Sequence, residues 1–121
     1  MEYYLNLNPR PFEAIKNGTK KIEGRVPTEH NKNVPFNKIE KGDTIAFTNN
    51  FNKEKMKVRV LGVKHYSIFK EMLESEGTER VLSSKGTIEK GIKNYESFTG
   101  YKERVKKHGV YAMAIEKIDS I

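Results

Sequence analysis

Five short segments of the sequence alternate apolar and polar residues, and this period of two is typical of half-buried β-strands. In the first segment Tyr3, Leu5 and Leu7 share one face. Turn or cap residues bound each segment. The strands predicted in this way lie near residues 2–7, 20–25, 43–49, 56–66 and 110–118. Strands this short gain most by closing into a small barrel, because an open sheet leaves unpaired edges.

Segments with helical spacing separate the predicted strands. Phe12 and Ile15 share one face of a short helix, and Gly18 follows where a left-handed cap is expected. Ser67 is predicted to cap a second helix and Thr87 a third. The predicted fold class is therefore α+β, with a small mixed β-barrel whose openings are covered by helices.

The chain has 121 residues, which is a typical size for one domain and too small for two, so we predict a single domain over residues 1–121. Its 23 Lys and Arg residues against 16 Asp and Glu give a net charge of +7. This charge favours polyanionic partners, nucleic acid first, through counterion release. A lysine-rich surface that only maintains solubility explains the charge equally well.

Several classes of site are not expected. The sequence has no cysteine, and its three histidines lie far apart, so we predict neither a metal site nor a cofactor. No phosphate-binding P-loop or dinucleotide fingerprint occurs. No segment approaches the ~20 apolar residues of a membrane helix, and the amino terminus does not resemble a signal peptide. We therefore expect a cytoplasmic monomer without a membrane partner.

The second predicted strand carries charged residues on one face. Alternation places Lys21, Glu23 and Arg25 together and Ile22 on the opposite face. Residues two apart on a strand lie about 7 Å from each other, so the carboxylate and the guanidinium can pair or converge on a ligand. The polar loop 26–38 that follows is long enough to serve as a lid beside this face.

Five stretches taken together resemble the ASCH domain family, named for homology to the activating signal cointegrator. They are PFEAIKNGTKKIEGR (11–25), IEKGDTIAF (39–47), residues 60–77, GIKNYESF (91–98) and GVYA (109–112). The resemblance spans nearly the whole chain. It implies a PUA-like β-barrel, related to RNA-binding PUA domains, with a cleft between the barrel and its helices.

The resemblance also implies which residues lie in that cleft. The family's Gly-x-Lys-x-x-Glu-x-Arg motif corresponds here to Gly18, Lys20, Glu23 and Arg25. A group of very small bacterial ASCH proteins resembles amidohydrolases that deacetylate N4-acetylcytidine with a lysine, a threonine and a glutamate. Lys20 matches that lysine, but Glu23 stands where the threonine is expected. Glu74 and Glu76 are both candidates for the glutamate.

The chemistry of these side chains leaves alternatives open. A buried Lys20 would polarise a carbonyl or act as a base, whereas an exposed one would be ordinary solvated lysine. Glu23 suits an exocyclic amine and Arg25 suits a phosphate or a base edge, yet a plain surface ion pair fits the same pattern. We expect Lys20 and Glu23 outside the apolar core, so that alanine at either position would leave the free energy of unfolding nearly unchanged.

Aromatic and basic residues elsewhere supply further candidates. Tyr66 and Tyr101 are predicted platforms for stacking a base, whereas Tyr95 and Phe98 are expected in the core. The basic run 101–108 either tracks phosphates or stabilises its own helix dipole. The predicted ligand-binding residues are Lys20, Lys21, Glu23, Arg25, Tyr66, Tyr101 and Arg104.

Three functions remain open from the sequence. The first is binding of RNA, a nucleotide or a nucleoside in a charged cleft. The second is hydrolysis of a modified nucleoside or of RNA by Lys20 and Glu23, with Glu74 assisting. The third is a protein-interaction module for transcription or translation machinery. A pocket lined by the charged residues would favour the first two, and a flat apolar patch would favour the third.

Overall fold

The computed structural model describes residues 1–118. Its strands are β1 (Glu2–Leu7), β2 (Ile22–Arg25), β3 (Thr44–Asn49), β4 (Lys55–Tyr66) and β5 (Val110–Lys117). They form one sheet in the order β1-β3-β4-β5-β2, in which β1 runs parallel to β3 and the other pairs are antiparallel. The predicted α+β class with a barrel-like sheet is confirmed.

The sheet curls into a half-barrel and stays open along one side. Strands β1 and β2 lie at its two ends, and within residues 1–118 no ladder joins them. β4 makes the curl possible because it has 12 residues, pairs with β3 along its first part and with β5 along its second, and shifts register between Val60 and Gly62. The gap between β1 and β2 borders the cleft that forms the candidate site.

The helices lie where the sequence predicts them, with one wrong cap. They are α1 (Pro9–Lys16), α2 (Phe69–Glu76), α3 (Thr78–Val81), α4 (Ile88–Glu96) and α5 (Tyr101–His108). Gly18 has a φ of 88° after α1, and the hydroxyl of Thr87 caps α4 by accepting from the backbone N–H of Lys90, as predicted. Ser67 does not cap α2, because the chain stays extended through Ile68.

Two hydrophobic clusters share the interior. One fills the half-barrel and contains the fully buried rings of Phe12, Phe36 and Phe47. Because Phe36 belongs to it, the loop 26–38 is anchored at its far end rather than free to move as a lid. The other cluster lies between β2 and the helices and includes Ile22.

None of the helices within residues 1–118 is long and apolar enough to cross a membrane.

Candidate functional site

A cleft of about 790 Å³ opens along the gap between β1 and β2. Its walls are the facing edges of these two strands, the loop after β2, the segment 82–86 and the face of α4. We call this space the cleft. It lies between the half-barrel and the helices, which is the position that the resemblance implies.

The floor of the cleft is a buried row of three charged side chains. The carboxylate of Glu23 lies between two cations, with Oε1 3.4 Å from Lys20 Nζ and Oε2 accepting a hydrogen bond from Arg25 Nε at 2.7 Å. The side chains of Lys20, Glu23 and Arg25 are 5%, 7% and 13% exposed. Lys20 and Glu23 belong to neither hydrophobic cluster, but both are buried. Because they are buried and paired, alanine at either position is no longer expected to leave the free energy of unfolding nearly unchanged.

Lys20 connects two parts of the chain. It precedes β2, and its ammonium donates to the carbonyl of Ile22 at 2.8 Å and to the carbonyl of Val81, at the end of α3. With Glu23 as the third partner, all three N–H groups of the ammonium are engaged. Lys20 thus holds the wall that follows α3 against β2. Burial lowers the pKa of Lys20, and the charge of Glu23 opposes this shift.

The charges of this row stabilise one another. Burial by itself raises the pKa of the Glu23 carboxyl, but the charges and hydrogen bonds of Arg25 and Lys20 outweigh it, and the net pKa lies below the usual range. Burial lowers the pKa of Arg25, but the pairing with Glu23 outweighs it and leaves the guanidinium pKa above its usual value. Glu23 and Arg25 are therefore both ionised at neutral pH.

Arg25 also spans the open side of the half-barrel. Its Nη2 donates to the backbone carbonyl of Asn6 in β1 at 3.0 Å. Within residues 1–118, Nη1 of Arg25 has no hydrogen-bond partner, and no buried side-chain nitrogen or oxygen lacks one, so Nη1 is accessible from the cleft. The NH2 group of Nη1 is consequently available for an acceptor on a ligand.

A close contact with α4 requires glycine at position 24. A Cβ placed on Gly24 would lie 2.7 Å from the hydroxyl oxygen of Tyr95 and 3.1 Å from the sulfur of Met72. Tyr95 cannot easily yield, because its ring stacks on Phe69 at 5.0 Å and on Tyr101 at 6.5 Å between centroids. The absence of a side chain at Gly24 lets α4 approach β2 and sets the width of the cleft.

The mouth of the cleft is cationic and partly aromatic. Five Lys and Arg side chains line the whole cleft, against the single carboxylate of Glu23. Three of them, Arg10, Lys85 and Lys90, are exposed at the mouth. The ring of Phe98 also lines the cleft and is 38% exposed. An anionic ligand with a flat apolar part matches this combination.

The loop after β2 is held in place by specific hydrogen bonds. The backbone N–H of Thr28 donates to the Asn31 side chain at 2.7 Å, and the amide of Asn31 donates to the carbonyl of Val26 at 3.0 Å. Arg104, from α5, donates to the carbonyl of Pro27 at 2.7 Å. This wall of the cleft is therefore preformed.

The structure brings together some of the residues predicted for the site. Lys20, Glu23, Arg25 and Tyr101 line the cleft. The ring of Tyr101 is buried and stacked on Phe69 and Tyr95, so it does not form the open platform for a base that the sequence predicts. The remaining candidates lie elsewhere: Lys21, Tyr66, Glu74 and Arg104 are not among the residues that line it.

The four remaining candidates have other surroundings. The side chain of Lys21 is exposed at the residue before β2, and Arg104 holds the loop as described. Glu74 is exposed on α2, whereas Glu76 is buried and accepts a hydrogen bond from the hydroxyl of Tyr66. Neither glutamate lines the cleft.

Sequence reasoning missed several residues of the mouth. Phe98 was expected in the core, but α4 ends at Glu96, and the turn that follows leaves the ring partly exposed. Arg10, Lys85 and Lys90 carry no signal that separates them from other surface cations. Within residues 1–118, no three His, Asp or Glu side chains lie close enough to hold a metal ion.

Comparison with known proteins assigns the family. The model of the ASCH domain matches residues 5–119, which is nearly the entire chain. The chain belongs to the ASCH domain family. The PUA-like fold implied by the resemblance is thereby confirmed. Lys20, Glu23 and Arg25, which the resemblance places in the motif of the family, form the floor of the cleft.

Two solved structures are similar to this chain over nearly its whole length. The crystal structure of the hypothetical protein PH0355 is 43% identical, with a TM-score of 0.80, and the match covers 98% of this chain and all of that one. The solution structure of protein PF0455 from Pyrococcus furiosus is 39% identical, with a TM-score of 0.73, and the match covers 99% and 100%.

A more distant ASCH protein shares the fold alone. A mutant of ZmASCH from Zymomonas mobilis is 19% identical, with a TM-score of 0.59, and the match covers 99% of this chain and 74% of that protein. None of the curated proteins matches the chain.

Proposed function

We propose that this ASCH domain binds RNA and holds one nucleotide, base inward, in the cleft between β1 and β2. The observation that carries the proposal is the charge of the cleft, where five Lys and Arg side chains face one carboxylate. That carboxylate, on Glu23, is already paired with two cations, so it repels an incoming anion little. The cleft volume of about 790 Å³ is within the usual range for a small-ligand site.

Each part of a nucleotide has a complementary group in this arrangement. Arg10, Lys85 and Lys90 at the mouth suit the phosphates, which supply most of the affinity in RNA binding. The exposed ring of Phe98 suits a stacked base, and the free N–H group of Arg25 suits an acceptor on its edge. A single-stranded RNA satisfies all three requirements at once.

The partners of Lys20 favour binding over hydrolysis. A catalytic lysine needs a free lone pair or a neighbouring nucleophile, but this ammonium donates to two carbonyls and contacts Glu23. Within residues 1–118, no side-chain hydroxyl donates to Lys20 or accepts from it. Glu23, which stands where the amidohydrolases have a threonine, supplies no hydroxyl. Lys20 therefore acts here as a positioning residue.

The test compares two pairs of exposed lysines. Binding of a short single-stranded RNA is followed by fluorescence anisotropy over a range of salt concentrations, for the parent, Lys85→Ala/Lys90→Ala and the matched control Lys106→Ala/Lys107→Ala. The first pair lies at the cleft and the second on α5. The logarithm of the association constant falls linearly with the logarithm of the salt concentration, and each phosphate contact on a single strand contributes about 0.7 to the steepness of that line. Loss of the two lysines at the cleft should therefore make the line less steep by roughly 1.4.

The outcome separates the possible functions. If both double substitutions weaken RNA binding equally, the positive charge acts without the cleft. If only the substitutions on α5 weaken RNA binding, the binding site lies on that helix. A parent that binds no RNA, nucleotide or nucleoside at low salt would refute the proposal. Products detected by chromatography after incubation with N4-acetylcytidine or RNA would favour hydrolysis instead.

A further inference from the structure

Strand β1 has a hydrogen-bonded neighbour on one side only. The carbonyl of Met1 accepts from the N–H of Thr44 at 3.0 Å, and the carbonyl of Leu7 accepts from the N–H of Asn50 at 2.8 Å. With the parallel register between β1 and β3, the odd-numbered residues of β1 direct their backbone groups towards β3. The even-numbered residues direct theirs away from it, along the open edge of the sheet.

This open edge borders the cleft. Tyr4 and Asn6 both line the cleft, and Arg25 reaches across it to donate to the carbonyl of Asn6. Within the described part of the chain, the N–H and C=O of Tyr4 and the N–H of Asn6 have no hydrogen-bond partner. An unpaired row of this kind readily binds another chain or ligand, and proteins usually cover it.

We infer that the open edge of β1 recognises the base of the bound RNA through hydrogen bonds from the backbone of Tyr4 and Asn6. This inference rests on the proposed binding of RNA in the cleft. Nucleobases present donors and acceptors side by side along their edges, and single-stranded RNA exposes those edges. The edge of β1 offers the same alternation of N–H and C=O, next to the free N–H group of Arg25. The backbone, rather than a side chain, would then discriminate between bases.

The charge of the cleft favours RNA over a peptide as the occupant. An extended peptide also pairs with a free strand edge. However, the cations of the mouth and the exposed ring of Phe98 match the phosphates and the bases of RNA together. A peptide would have to be acidic and aromatic to match both.

The direct test is hydrogen exchange of individual amides, measured by NMR with and without a saturating short single-stranded RNA. The amides of Tyr4 and Asn6 should exchange fast in the free protein and slow by about tenfold or more in the complex. The amides of Leu5 and Leu7 pair with β3 and serve as internal controls, because they should be protected in both states.

A second measurement tests discrimination between bases. Affinities are compared for RNAs that differ only in the central base, and the parent should prefer one base by roughly 5- to 150-fold, the range of one good bidentate contact. Asn6→Pro removes the edge N–H without removing a ladder bond, a substitution that edge strands tolerate. Asn6→Pro should bring the ratio of affinities for the different central bases close to one. Asn6→Ala, which keeps the backbone N–H, should reduce this ratio less.

The outcomes distinguish this inference from the function on which it rests. RNA that binds with the expected salt dependence but leaves the exchange of the Tyr4 and Asn6 amides unchanged would refute the inference and keep the proposed function. Equal affinity of the parent for RNAs with any central base would also refute the inference and keep the proposed function. Protection of these amides by an acidic peptide, and none by RNA, would overturn both in favour of strand addition.

Discussion

Replacing Glu23 by glutamine should cost a large part of the stability of this domain. The substitution keeps the size of the side chain but leaves the ammonium of Lys20 and the guanidinium of Arg25 buried without a counter-charge. Removing one partner of a buried ion pair typically costs about 3 to 5 kcal/mol. The amide oxygen still accepts a hydrogen bond, so we expect the lower end, about 3 kcal/mol. For a chain of this size the melting temperature should fall by on the order of 10 °C.

Urea denaturation provides the assay. The chain has no tryptophan, so unfolding is followed by far-ultraviolet circular dichroism. A two-state fit gives the free energy of unfolding and its slope against urea concentration. Glu54→Gln is the matched control, because it removes a carboxylate that pairs with Lys16 at 2.5 Å on the exposed surface. The midpoint of the control should stay close to that of the parent, since exposed ion pairs contribute little.

The dependence on pH provides a second check. The pKa of Glu23 is lower in the folded state than the unfolded value of about 4.3, so the unfolded chain binds more protons in acid. The stability that Glu23 contributes is present above about pH 4.3 and is lost as the pH falls through its folded pKa. The difference between parent and Glu23→Gln should therefore shrink in acid. A variant that unfolds at the parental urea concentration at pH 7 would refute the stabilising role of the charged row.

Two further substitutions test the neighbours of Glu23 by the same denaturation assay. Gly24→Ala should destabilise by about 1 to 3 kcal/mol, because its Cβ would lie 2.7 Å from the hydroxyl oxygen of Tyr95; an unchanged midpoint would mean that α4 does not pack against β2 as described. Ile22→Ala should cost about 2 to 5 kcal/mol through the cavity it leaves, since Ile22 is 1% exposed; a cost below 1 kcal/mol would contradict its burial.

Alternation and capping residues were sufficient to predict the strands and most of the helices. They work because they are local: Gly18 ends α1 with a φ of 88°, and β1 buries Leu5 and Leu7 as its period of two requires. The positions of Lys20, Glu23 and Arg25 in one cleft followed from the resemblance rather than from the period.

The burial of Lys20 could not be predicted by local reasoning. Its environment depends on the carbonyl of Val81, which lies 61 residues away in the sequence. The prediction for Phe98 was wrong for a related reason. Its helical spacing from Tyr95 favoured the core, but the helix ends at Glu96. The open edge of β1 likewise depends on which strands become neighbours, and no pattern within one strand contains that information.

The pairing of β2 has a consequence for the order in which the domain is assembled. Glu23 lies opposite Met113 in β5, although the two residues are about 90 positions apart in the sequence. During translation, β2 is synthesised about 90 residues before β5, the strand with which it pairs. Pairing between segments so far apart in the sequence is slow to form. A chain that ends before β5 would hold the floor residues on a strand that lacks its hydrogen-bonded neighbour. The cleft would therefore take the shape described here only after β5 has docked against β2.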